Sequence, residues 1–110
     1  MFRERSDWGG VQVLCPNGHD TVHHSRIDVW ERGEDETRGL HVSVGEDGVH
    51  VDPKADVEHR QGQAGNPSPR RHGLTVWFWC EQCGKDNAFG LDLSQHKGET
   101  FLAYHPEEWS

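Results

Sequence analysis

Two short turns constrain this chain more than any other part of it: Cys15-Pro-Asn-Gly-His19 and Cys80-Glu-Gln-Cys83-Gly84. Each follows a strand-like run, Val11 to Leu14 in one case and Leu74 to Trp79 in the other. Each has glycine close to its tip, where the backbone must reverse sharply. Cys-x-x-x-His and Cys-x-x-Cys are spacings at which two soft or borderline donors converge on one point, the pattern of a zinc knuckle. Brought together, the two turns offer Cys15, His19, Cys80 and Cys83, a Cys₃His set suited to one tetrahedral Zn²⁺. Zinc favours thiolate and imidazole and imposes no ligand-field geometry of its own. Four protein ligands leave no open position for water, so the site reads as structural and not catalytic. A thioredoxin-like redox pair shares the Cys-x-x-Cys spacing, but such pairs open a helix in a βαβ setting, and here both flanks have strand character. His19 is the least determined ligand. His23 or His24 lies near enough to substitute, although the plainer role for His23, His24, His41 and His50 is polar cover on strand exteriors.

Composition explains why such a staple is needed. Leu, Ile, Val and Phe make up only about a fifth of the 110 residues, and the formal net charge is −8; chains of that kind border on disorder. Five tryptophans, Trp8, Trp30, Trp77, Trp79 and Trp109, argue for a folded state. The expectation is a single domain over 1–110 with a thin core that metal binding supplements. The odd count of three cysteines makes a disulfide framework a poor reading and favours a reducing, cytoplasmic setting. No apolar run approaches the ~20 residues of a membrane span, and the opening MFRERSDWGG lacks the apolar stretch of an export signal. The pI of about 5.5 argues against strong nonspecific binding to nucleic acid phosphates.

Helix periodicity is weak throughout, and period-two alternation is strong. Strands are expected at Val11 to Leu14, Thr21 to Trp30, Leu74 to Cys80, Ala88 to Leu93 and Thr100 to Tyr104. Leu40, Val42 and Val44 alternate with His41 and Ser43, Glu46-Asp-Gly48 has turn chemistry, and Val49 and Val51 return in phase. Residues 40–52 therefore read as a hairpin inserted between the two knuckles. The proline- and glycine-rich stretch 53–73 exceeds the usual connection length and is expected to be a functional or mobile loop. The fold class that follows is all-β and zinc-ribbon-like.

Two further features are candidates for recognition. Arg70 and Arg71 follow Pro67-Ser-Pro69 and can read a phosphate or carboxylate, or one of them can anchor the loop to the acidic run Glu31 to Glu36. Trp77 and Trp79 share one face of their strand, either as buried core or as an exposed stripe able to stack on bases or dock a protein. No phosphate-binding loop, nucleophile elbow, His-Glu-x-x-His or deaminase signature is present, which points away from an enzyme.

The run Asn66-Pro-Ser-Pro-Arg-Arg-His-Gly-Leu74, then Phe78-Trp-Cys-Glu-Gln-Cys83, then Gln95-His-Lys-Gly98, resembles a group of small uncharacterised proteins of actinobacteria and their phages. Cys15, His19 and the Glu34-Asp-Glu36 segment extend the likeness from residue 15 to residue 104. The resemblance implies a zinc-ribbon-like β domain associated with mobile elements and implies no established activity. The first knuckle, Cys-x-x-x-His, departs from the commoner Cys-x-x-Cys of such ribbons. The leading functional expectation is a non-enzymatic module that binds another protein. A nucleic-acid-binding ribbon using Arg70, Arg71, Trp77 and Trp79 is the alternative, and an acidic DNA mimic that occupies a DNA-binding enzyme is a third. Exposed edge strands leave a homodimer open.

Overall fold

The structure is a computed structural model, and it describes residues 2–5, 7, 9–60 and 65–105; Trp8 and Trp109 lie outside these residues. The described elements are all strands: β1 Phe2–Arg5, β2 Gly10–Val13, β3 Val22–Glu31, β4 Arg38–Gly45, β5 Gly48–Asp56, β6 Gly73–Cys80, β7 Gly84–His96 and β8 Glu99–His105. β1 and β2 form a small hairpin sheet. The other six form an antiparallel sheet in the order β5-β4-β3-β6-β7-β8, two three-strand meanders joined at β3 and β6. Among the described residues no helix is long and apolar enough to cross a membrane.

The expected strands are present, and several run longer than their apolar alternation. The inserted hairpin spans β4 and β5, so residues 53–56 belong to a strand and not to the loop. Its two-residue turn is closed by the Gly45–Gly48 pair, with Gly48 at φ 105°. Lys97 and Gly98 turn β7 into β8 with φ of 51° and 79°, the left-handed pair that matches the twist of a two-residue hairpin.

Pairing register divides the large sheet into two faces of opposite chemistry. Arg26, Asp28 and Trp30 of β3 stand level with Trp77, Thr75 and Gly73 of β6, and Thr75 stands level with Asp92 of β7. This face is polar and aromatic. Ile27 and Val29 pair with Val76 and Leu74 on the other face, which continues through Val42 and Val44 to Val51 and Val49, and through Leu91 and Leu93 to Tyr104 and Leu102. That face is aliphatic.

The described part of the stretch expected as a functional or mobile loop folds over the polar face as a strap. Val57 is fully buried with Trp30 and Ala55 in a small second core. Arg60 reaches across to Asp92 at 2.8 Å. Asn66 and Ser68 are both 0% exposed. The Asn66 amide donates to the carbonyls of Val57 and Arg71, each at 2.9 Å, and its oxygen accepts the Ser68 N–H at 2.9 Å. The Ser68 hydroxyl donates to the His72 carbonyl and accepts the Gln95 N–H. Arg32 clamps the far end by donating to the carbonyls of Glu36 and Pro69, while its own N–H donates to His72 Nδ1. Residues 61–64 of the strap lie outside the description.

Under the strap sits a buried polar cluster. Asp92 is 3% exposed and accepts the Thr75 hydroxyl at 2.6 Å. His105, 2% exposed, places Nδ1 3.3 Å from the same carboxylate. Arg60 pairs with the aspartate and the Trp77 ring packs edge-on with the histidine.

Candidate metal centre

The main core lies at one end of the aliphatic face, where β1, β2 and the turn after them cover the sheet. Cys15, Phe78, Cys80, Phe89 and Leu91 are buried there, with Val13, Val22, Cys83 and Tyr104 packed against them. Tyr104 ties the layers together: its ring stacks on Phe2 and its hydroxyl donates to the Leu14 carbonyl at 2.6 Å. Two of the buried apolar side chains are thus the cysteines singled out by their spacing.

Each turn is built to aim its donors inward. In the first, Gly18 N–H donates to the Cys15 carbonyl at 2.8 Å and Cys15 N–H donates to the His19 carbonyl at 2.9 Å, so the chain closes on itself. Gly18 takes φ 87° and Gly84 takes φ 88°, the left-handed conformation that only glycine adopts without strain. The second turn is the β6–β7 hairpin itself. The first is different from a ribbon hairpin, because it links β2 of the small sheet to β3 of the large one.

The four expected residues meet. Their donor atoms all lie within 4.8 Å of one another and can hold one metal ion. His19 Nδ1 stands 3.3 Å from Cys15 Sγ and 3.4 Å from both Cys80 Sγ and Cys83 Sγ. Cys15 Sγ and Cys83 Sγ are 4.0 Å apart. Metal bonds of ~2.3 Å to sulfur and ~2.05 Å to nitrogen at the tetrahedral angle require N···S separations of about 3.6 Å and S···S separations of about 3.8 Å. The three N···S distances and the Cys15–Cys83 distance match these within a few tenths of an ångström, with the imidazole nitrogen close to all three sulfurs. All three thiols are free of disulfides.

Local dipoles favour thiolate at Cys80; at Cys83 the Asn17 donor is outweighed by burial and the neighbouring Cys80 and Cys15, which push the thiol up. Burial pushes the Cys80 thiol up, but backbone N–H groups of Cys83 and Gln82, with His19 and Cys83, outweigh it and bring it down to about 7. The Asn17 amide donates to Cys83 Sγ at 3.4 Å, and His19 N–H donates to Cys15 Sγ at 3.4 Å. His23 and His24 stand outside the cluster. His23 pairs with Glu81 at 2.8 Å and stacks on Trp79, and His24 leans on Phe78.

The recognition candidates do not form one patch. Arg70 is held by Asp35 at 2.6 Å and Glu34 at 2.9 Å, so it meets the acidic run and anchors the strap. Arg70 and Arg71 line a cleft with His96 and Lys97, Trp77 lines a second cleft, and Trp79 a third. Both tryptophans are half-buried on the middle strand. The Trp77 cleft, about 360 Å³, was not visible in the sequence; its floor is Asp28, only 4% exposed. Asp28 accepts from His41 Nε2 at 2.9 Å, Trp77 Nε1 at 2.8 Å and Arg26 Nε at 3.0 Å. The Arg26 guanidinium lies over the Trp77 ring.

Burial pushes the Asp28 carboxyl up, but these donors outweigh it and hold the group below the ordinary aspartate range. A lowered folded value means stabilisation that is complete above the unfolded ~3.9 and is lost only as pH falls through the lower folded value. Asp28→Asn should therefore cost about 1–3 kcal/mol in denaturant unfolding, with a gap from wild type that stays flat from neutral to mildly acidic pH. A gap that closes between neutral and mildly acidic pH would contradict this. Compared with known families, characterised proteins and solved structures, the chain matches none.

Proposed function

We propose that this chain is a zinc-ribbon-like module in which one structural Zn²⁺ on Cys15, His19, Cys80 and Cys83 holds the fold, and that it acts by contact with protein and not by catalysis. Three thiolates and one imidazole select zinc over harder ions, and four protein donors leave no coordination position for a substrate. Three free thiols suit a reducing compartment such as the cytoplasm. The resemblance to actinobacterial and phage proteins fits a gene carried on a mobile element.

The observation that carries the contact reading is the aliphatic face. Val49 is 63% exposed, Val51 58% and Leu102 54%, in a chain with few apolar side chains to spare. Contiguous surface of this kind marks an interaction site. The nucleic acid reading is weaker, because Arg70 is neutralised by two carboxylates and Trp77 points its indole N–H at Asp28.

Native mass spectrometry is expected to find one zinc per chain, and cobalt substitution is expected to give the intense visible absorption of a tetrahedral thiolate site. Affinity capture should retain a protein on the wild-type chain and lose it on Val51→Lys. A metal-free folded chain would overturn the zinc reading. Turnover of a substrate by the chain alone would overturn the contact reading.

A further inference from the structure

We propose that the aliphatic face of the large sheet is covered by the same face of a second copy of this chain, making a two-layer β-sandwich dimer; the inference rests on the contact reading above and names its partner. A sheet with one apolar face reaches a stable architecture by burying that face on a second layer. Among the described residues of one chain the second layer is incomplete. The β1–β2 hairpin covers only the metal end, and exposure rises along β7 away from it: Phe89 0%, Leu91 8%, Leu93 42%. On β3 and β4 Val29 is 40% exposed and Val44 44%, and on the edge strand β5 exposure peaks at Val49 and Val51.

Charge selects the occupant. The protein carries −8, so two copies repel wherever their carboxylates meet. This face offers none between its strand ends: Ile27, Val29, Val42, Val44, Val49 and Val51 follow one another across β3, β4 and β5. A flat, uncharged, β-branched surface is complementary to another of the same kind, and the second copy presents one at the protein's own concentration. Isologous pairing about a two-fold axis needs nothing else.

Area is sufficient. The exposed side chains present on the order of 600 Å² of apolar surface, at the top of the ~300–600 Å² found on monomers and near the ~800 Å² per partner of a standard interface. Two sheets in this arrangement sit ~10 Å apart with strands within ~30° of alignment. Antiparallel alignment puts the two metal centres at opposite ends, clear of each other's N-terminal hairpins. Pairing through the β5 edge is disfavoured by Asp52-Pro-Lys54, since proline has no N–H to donate and the charges resist stacking.

The test is the mass of the zinc-loaded protein by light scattering and sedimentation at micromolar concentrations, for wild type and for Val44→Lys and Val51→Lys. Both positions are exposed enough for the monomer fold to carry lysine, so zinc content and circular dichroism should not change. The wild type is expected at twice 12.5 kDa. Each substitution is expected to weaken the dimer roughly a hundredfold. A zinc-loaded wild-type monomer would overturn the second copy while leaving contact with a different protein intact. A dimer that survives both substitutions would also overturn it, by placing the contact elsewhere, such as the free edge of β8.

Discussion

Replacing Cys80 with serine, or stripping the metal with a chelator, is expected to unfold the chain and not merely to soften it. Cys15 and Cys80 are 0% exposed and belong to the main core with Phe78 and Phe89. The ion they would hold joins two turns far apart in the chain, the one after β2 and the one between β6 and β7. Structural zinc supplies about 10–16 kcal/mol of folding free energy at neutral pH, as large as the ~5–15 kcal/mol total stability of an ordinary domain. A core this thin has no reserve to cover that loss. Serine would also bury a hydroxyl among phenylalanines, with His19 left facing it. Because loading requires thiolates, metal affinity should fall as pH drops below neutrality. The measurement is far-ultraviolet circular dichroism together with amide dispersion in NMR, before and after chelation. Collapse of both, restored by zinc, is the expected result. Retention of native dispersion in a chain proven free of metal would mean that the hydrophobic core alone sustains the fold.

The candidate metal cluster was legible because zinc chemistry is local in sequence: two donors and a glycine within five residues specify a turn whatever the rest of the chain does. The strands were legible for a similar reason. Alternation in Leu40 to Val44 or Leu74 to Cys80 reports which residues share a face. It does not report whether anything covers that face, and so the exposure of Val44, Val49 and Val51 came only from the structure. β1 escaped notice because Phe2-Arg-Glu-Arg5 has a single apolar residue; it is a strand through its register with β2 and the Phe2–Tyr104 stack. The strap was not legible, because the prolines and glycines of 53–73 signal irregular backbone and leave a functional and a mobile loop equally open. Its order comes from side chain to backbone bonds made by Asn66 and Ser68, and composition does not encode them. The Arg60–Asp92 pair joins distant segments and has no local signature at all.

Asn66→Ala should be the most damaging substitution away from the metal. The side chain is fully buried and uses both N–H groups and its oxygen. Its removal strands the carbonyls of Val57 and Arg71 and the N–H of Ser68 where water cannot reach them. Each orphaned group costs about 1–3 kcal/mol, and with partial relaxation the sum is expected near 3–5 kcal/mol in denaturant unfolding. Asn66→Asp should be worse, since a carboxylate oxygen would face two carbonyls that need donors. Gly73 gives an independent approach to the same contact. A Cβ there would run into the Asn66 oxygen and stand 2.6 Å from Pro67 Cδ, so Gly73→Ala should lift the strap from the opposite side. Hydrogen exchange separates this effect from general destabilisation. The Ser68 and Gln95 amides, which donate to Asn66 and Ser68, should lose protection before those of β4 and β5. A loss under about 1 kcal/mol for Asn66→Ala would mean that the strap is held by Val57, Arg32 and Arg60 alone, and that the asparagine only occupies space.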